Sequence, residues 1–212
     1  IKAVAERIVR SQDDGNQVVA VVSAMADTTN ELISLAEQVS DSPDARELDI
    51  LLSTGELVSC TLMAMAIRSI GNHSSISLSG AQAGIHTDTS YGRAKIAGVQ
   101  PQRILDELAK GNIVIVAGFQ GITKDMNITT LGRGGSDTTA VALAAGLGAA
   151  RCEIYTDVDG IYTADPRLVP QARKLEEIGF EEMLEFASCG AKMNPRSIEM
   201  GMVYNVPILV TS

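Results

Sequence analysis

Two apolar runs constrain this chain more than any other feature. Residues 17–22 (Gln-Val-Val-Ala-Val-Val) and 113–117 (Ile-Val-Ile-Val-Ala) are near-continuous β-branched segments without polar alternation. A strand with one wet face alternates, whereas one without alternation is buried on both faces, as in a parallel sheet. Parallel strands need crossover connections, usually helices, and helical patterns fall where they are needed. Ile1, Val4, Ala5, Ile8 and Val9 share one helical face, and Gly15 with Asn16 turns the chain into the first run. Thr28 and Thr29, with Glu31 following, can cap a helix that carries Leu32, Ile33, Leu35, Ala36 and Val39 inward. After a loop at 41–44, residues 45–70 read as a long helix with Leu48, Leu51, Leu52, Leu62, Met65 and Ala66 on its apolar face. Gly55 and Glu56 interrupt that pattern, and Gly71 and Asn72 close it. Further strands are expected at 75–79, 94–99 (an edge), 152–156 and 206–210, and helices at 101–111, 136–147, 180–187 and 195–203. This alternation predicts an α/β fold, a three-layer, doubly wound, mainly parallel sheet. In such sheets ligands bind beyond the carboxyl ends of the strands.

Composition narrows the class. The 212 residues are 45% hydrophobic and 20% charged with a formal charge of -9, which suits one soluble domain, or a domain with a small lobe. The acidic balance disfavours a nucleic-acid partner. No apolar run approaches the roughly 20 residues of a membrane span, so neither nucleic acid nor membrane is expected as a partner. Cys60, Cys152 and Cys189 are odd in number and widely spaced, and no secretory signal is visible, so a reducing cytoplasm is expected. His73 and His86 lack a metal-ligand spacing, and no metal-binding residues are assigned. The signatures G-x-x-x-x-G-K-S/T, strand-linked G-x-G-x-x-G, H-R-D with D-F-G, and G-x-S-x-G are all missing.

Four strand ends carry chemistry. The first, Ser23-Ala24-Met25 to Asp27-Thr28-Thr29, offers hydroxyls and amides at a helix start, where an anion is welcome; taken alone, plain N-capping is the better explanation of it. The second, Gly118-Phe119-Gln120-Gly121, permits close backbone approach or is merely a turn. The third is Thr129-Thr130-Leu131-Gly132-Arg133-Gly134-Gly135-Ser136-Asp137. Its glycines expose amides, Ser136 adds a hydroxyl, and Arg133 supplies a two-pronged fork, so an anion site is the natural reading. Asp137 would repel phosphate there unless it caps the helix or holds lysines and a metal. The fourth, Thr156-Asp157-Val158-Asp159-Gly160 through Arg167, combines carboxylates, an aromatic ring and an arginine in a manner suited to a nucleotide, or forms an acidic surface turn. It lacks the remaining spacing of a calcium loop.

These segments, with Ser53-Thr54-Gly55-Glu56, occur in the order found in aspartokinases, and the chain resembles that family over essentially its whole length. The resemblance implies the amino acid kinase fold of carbamate kinase-like type and ATP-dependent phosphorylation of the side-chain carboxylate of L-aspartate to 4-phospho-L-aspartate. ATP and Mg2+ are the implied cofactors. The product opens the route to lysine (through diaminopimelate), threonine and methionine. By the resemblance, Glu56 is the partner of the aspartate ammonium group and Arg133 of its α-carboxylate. Ser23, Asp27, Thr28, Thr29, Asn30, Glu31, Gly134, Gly135 and Ser136 line the substrate site. Thr156, Asp157, Tyr162, Thr163, Ala164, Asp165, Pro166, Arg167, Lys192 and Met193 form the nucleotide side. Asp137, Lys192 and Arg133 are the implied catalytic residues, with Asp137 organising phosphate-binding lysines.

The chain departs from the family pattern in several places. The family's first strand and its Lys-x-Gly-Gly turn would precede Ile1, Ala26 stands where glycine is usual, and residues 192–196 are one residue short. The family's C-terminal ACT regulatory domains are not in this sequence. The expectation is therefore a catalytic domain, 1–212, of a longer homo-oligomeric enzyme, active when intact and inactive as this piece. The alternatives are a kinase of glutamate, acetylglutamate or a nucleoside monophosphate, and a binding module without turnover.

Overall fold

A computed structural model describes residues 1–165, 167–188, 190 and 193–212. Pro166 and Lys192 of the sequence-predicted site lie outside the described residues. The chain forms two compact units, 1–139 and 140–212.

In the first unit, α1 (Lys2–Asp13), β1 (Val19–Val22), α2 (Thr28–Val39), α3 (Ala45–Arg68), β2 (Ser75–Leu78), β3 (Ile85–Thr87), β4 (Ile96–Val99), α4 (Gln102–Ala109), β5 (Ile113–Ala117), β6 (Gln120–Ile122) and β7 (Ile128–Thr130) follow in order. The two runs that dominate the sequence are neighbours. Strand β5 is central, with β1 and β2 parallel on either side and Val22 in register with Ala117. All five residues of β5 are fully buried. Ile113, Ile115 and Ala117 pack with Ala5, Ile8 and Val9 of α1 and with Cys60, Met63, Ala64 and Ile67 of α3. Each large apolar side chain buried in this way contributes roughly 1.5–3 kcal/mol. A second sheet runs β4-β3-β6-β7, with β3 and β6 parallel and the two outer pairings antiparallel. Strands β3, β6 and β7 were not expected. Each is three residues long, and two of them coincide with motifs that read as turns.

The helices need correction in their faces rather than their spans. Asp44 caps α3 by accepting from the amides of Arg46 and Glu47, and the helix passes through Gly55 and Glu56 without a break. It ends on Ser69, before Gly71. The buried face of α3 is Asp49, Leu52, Ser53, Glu56, Ser59, Cys60, Met63 and Ile67, while Leu62 and Met65 are exposed. The two serines are satisfied locally, the Ser53 hydroxyl donating to the Ile50 carbonyl and the Ser59 hydroxyl to the Gly55 carbonyl, so burying them costs little. By length and composition α3 is apolar enough to cross a membrane, contrary to the sequence expectation. Half of the window is buried inside the fold, as in a core helix. Helix α2 buries no residue, and Leu35 and Val39 face outward. Its N-cap position is Asp27, without a side-chain capping bond, in place of the threonine cap that was expected.

Helix α5 (Gly135–Leu147) begins in the first unit and ends in the second, which continues with β8 (Cys152–Tyr155), α6 (Phe180–Ser188), α7 (Pro195–Tyr204) and β9 (Ile208–Thr211). Strands β8 and β9 pair in parallel. Val141, Ala144, Cys152, Ile154 and Val206 form one core, and Met183, Met193 and Ile198 another. Met193, which the resemblance put on the nucleotide side, is thus a core residue at 8% exposure. Among the described residues four of the six strand pairings are parallel, and the architecture is α/β as expected.

Candidate functional site

Parallel neighbours end at the same edge, so β1 and β5 deliver Ser23-Ala24 and Gly118-Phe119 side by side. The amide of Gly118 donates to Val22 O at 3.0 Å. A Cβ on Gly118 would stand 2.7 Å from Ser136 Oγ and 2.9 Å from Val21 Cγ1, so this glycine lets the start of α5 sit against the strand ends. The loop from β7 to α5 turns through Gly132 (φ 76°) and Gly134 (φ 70°), in the left-handed region that favours glycine. Its base is fixed where the amide of Leu131 donates to Phe119 O at 2.8 Å. Phe119 itself has φ 66°, a conformation that costs a non-glycine residue about 1 kcal/mol or more and that concentrates at functional sites.

Together these elements form an open cleft of about 300 Å³ lined by Ser23, Ala24, Thr29, Glu56, Phe119 and residues 132–137. Its lining carries both signs of charge. Glu56 arrives from α3 and is 3% exposed. One carboxylate oxygen accepts from the amide of Ala24 at 3.1 Å, and Oε2 is buried with no partner among the described residues. Burial raises the pKa of Glu56, partly offset by the hydrogen bonds from the Ala24 amide and its own. A buried carboxylate with an open oxygen is a seat for a cation that brings its own N–H donors. Opposite in sign are the exposed Arg133 and the amino end of α5, where the helix dipole favours an anion. Asp137, in the first turn of α5, has its carboxyl raised by burial. The cleft therefore offers one cation seat and one anion seat, which fits an α-amino acid zwitterion.

Of the residues expected on the substrate side, Ser23, Thr29, Glu56, Arg133, Gly134, Gly135 and Ser136 line this cleft, as does Asp137. Asp27, Thr28, Asn30 and Glu31 lie outside its lining. The Thr28 hydroxyl is spent on Met25 O at 2.6 Å, and the Glu31 amide on Asp27 O at 3.0 Å. Ala24, Phe119 and Gly132 line the cleft without having been assigned to it. All three lie in strand-end segments that the sequence singles out, 23–25, 118–121 and 129–137, but none carries a polar side chain that would have marked it individually.

The residues expected on the nucleotide side belong to the second unit. Thr156 continues β8, its amide donating to Thr211 O at 2.9 Å and its hydroxyl to Asp157 Oδ1 at 3.0 Å. Tyr162 pairs with Lys174 in a short bridge, and its hydroxyl donates to Asp159 Oδ1 at 3.0 Å. The amide of Thr163 donates to Arg173 O at 2.9 Å, and Ala164 is half-buried beside it. Arg167 forks onto Asp165, with Nη2 at 2.8 Å from Oδ2. Lys174 also donates to the carbonyl of Asp159. It was not foreseen, because it lies outside the loop motif. Among the described residues no group of three His, Cys, Asp or Glu side chains is placed to hold a metal ion.

Residues 1–212 match the amino acid kinase family, to which the chain belongs. It is 58% identical over 214 residues to an aspartokinase of Mycolicibacterium smegmatis, covering all of this chain and 51% of that protein. Among solved structures it resembles the aspartate kinase from Synechocystis, with TM-score 0.86 and 48% identity over 100% of this chain and 34% of that one. It also resembles E. coli aspartokinase III in complex with aspartate and ADP, with TM-score 0.76 and 32% identity over 98% of this chain and 46% of that one. The chain spans about half the length of the curated relatives it matches.

Proposed function

We propose that this chain is the catalytic domain of an aspartokinase that transfers the γ-phosphoryl group of ATP to the side-chain carboxylate of L-aspartate. The observation that carries the reading is the mixed polarity of the cleft, whose lining brings together the open Oε2 of buried Glu56 with Arg133 and the start of α5. The names of the similar proteins at high identity point the same way.

In this reading Glu56 holds the ammonium group and Arg133 the α-carboxylate, which leaves the side-chain carboxylate free to react. One of its oxygens attacks the γ-phosphorus, and the bond from that phosphorus to the bridging oxygen of ADP breaks. The nucleophile is already ionised, so no general base is needed, and the work of the protein is alignment and charge neutralisation. Gly134, Gly135 and Ser136 offer amides and a hydroxyl to the anionic groups, and Asp137 orients the cations that meet the phosphates. Mg2+ bound together with ATP would neutralise charge on the phosphates, which suits described residues that offer no cluster of metal ligands of their own. Thr156, Asp157, Tyr162, Thr163, Ala164, Asp165, Pro166, Arg167 and Lys192 form the nucleotide side. For Arg167 this requires exchanging Asp165 for a phosphate.

The same reading makes residues 1–212 one part of a longer, homo-oligomeric cytoplasmic enzyme. It would be preceded by a strand with a Lys-x-Gly-Gly turn, followed by ACT domains, and would act at the start of lysine, threonine and methionine synthesis. The test is ADP production by the intact protein with aspartate, glutamate or acetylglutamate as acceptor. Aspartate alone should support turnover, and activity with glutamate but not aspartate would overturn the assignment.

A further inference from the structure

Asp49 does not line the cleft and is 1% exposed, yet both of its oxygens are fully engaged. Oδ1 accepts from the Thr130 hydroxyl at 2.7 Å and from the Gly92 amide at 3.0 Å; Oδ2 accepts from the Thr130 amide at 2.8 Å and from the same Gly92 amide at 3.0 Å. The donors come from two places, the end of β7 and the connection between β3 and β4. Those two segments are also joined directly, since the amide of Ala94 donates to Thr130 O at 2.9 Å. They meet at the root of the glycine loop, where Gly92 O lies 3.0 Å from the position a Cβ on Gly132 would take. Thr130 is followed almost at once by Gly132 and Arg133. On α3, Asp49 and Glu56 lie about two turns apart on the same buried face.

We propose that Asp49 is a positioning residue: by gripping Thr130 and Gly92 it ties the root of the Arg133 loop to the helix that carries Glu56. One rigid helix thereby fixes the separation between the cation seat and the anion seat. The identity of the ligand in this inference rests on the aspartokinase reading, whereas the clamp itself does not. A carboxylate is required because only an acceptor-only group with two oxygens can receive all of these donors. In Asn the amide nitrogen would face one of the N–H groups.

The test compares the intact protein with its Asp49→Asn variant in steady-state kinetics and in hydrogen exchange read by mass spectrometry. KM for aspartate should rise at least tenfold while KM for ATP stays within twofold, and peptides covering 88–95 and 130–137 should exchange at least tenfold faster while 113–117 does not change. Aspartate KM within twofold of the parent, both KM values rising together, or uniformly faster exchange would each overturn the proposal. If Asp49→Asn does not fold, Thr130→Val should raise aspartate KM and Thr130→Ser should restore it, and equal values for the two would count against the clamp. If the parent protein makes no ADP with aspartate, the functional reading fails, and the exchange comparison still decides the clamp.

Discussion

Replacing Glu56 by Gln keeps the shape of the side chain and removes its charge. One oxygen can still accept from the Ala24 amide, but the position of Oε2, buried and without a partner among the described residues, becomes an N–H₂ group that, in the proposed binding mode, faces the ammonium of the substrate. Loss of a hydrogen bond to a charged group costs about 1.5–3 kcal/mol, and setting donor against donor puts the change at the upper end. About 3 kcal/mol corresponds to roughly 150-fold in aspartate affinity. Stability should respond differently. The variant escapes the penalty of a buried charge, which is what raises the pKa of Glu56, but gains an unsatisfied buried donor, so the two changes offset to within about 1 kcal/mol. Titration calorimetry of the intact protein with aspartate, and separately with ATP, measures both affinities, and urea unfolding measures stability. Aspartate affinity within threefold of the parent, or an equal loss of ATP affinity, would refute the assignment of Glu56 to the ammonium group.

Three further outcomes follow from the same geometry. Arg133→Ala should weaken aspartate by about 2 kcal/mol, near 30-fold, and leave KM for ATP unchanged, with Arg133→Lys recovering only part because it lacks the fork; steady-state kinetics with each substrate varied will show it. Ala26 has φ 45°, a left-handed conformation that costs an L-residue roughly 1–2 kcal/mol. Ala26→Gly should therefore raise the unfolding free energy by about 0.5–1 kcal/mol after the entropy of the more flexible unfolded chain is deducted, read from the urea midpoint. Glu56 and Asp137 both have pKa values raised by burial, so the fold binds these protons more tightly than the unfolded chain. Their stabilising contribution is present below the ordinary carboxylate range and is lost as pH rises through the raised values. Unfolding measured against pH should show Glu56→Gln flattening that decline.

The parts of this molecule that were legible in the sequence are those where one physical demand dominates. Residues 113–117 are buried on both faces and so could be nothing but an inner strand, and the β5 found there has the same bounds. The glycine loop was legible because Gly132 and Gly134 are fixed by backbone conformation rather than by packing. What failed were readings that equate apolar with buried. On α3, apolar residues occur all round, and the face turned inward includes Asp49, Ser53, Glu56 and Ser59, each held by long-range or local hydrogen bonds that no sequence pattern displays. Strands β3, β6 and β7 are too short for alternation to register. Gln120 shows the same limit. It was read as a turn residue, yet it is buried with its side-chain amide donating to Ser53 O at 2.9 Å.

The claim on which the rest depends is that the side-chain carboxylate of aspartate is the phosphoryl acceptor. The intact protein, incubated with ATP, magnesium, aspartate and hydroxylamine, should convert the acyl phosphate to a hydroxamate that mass spectrometry identifies. Aspartate β-hydroxamate should form in proportion to ADP, and none should form when aspartate is omitted. ADP formed without that hydroxamate, or a hydroxamate only when glutamate replaces aspartate, would contradict it.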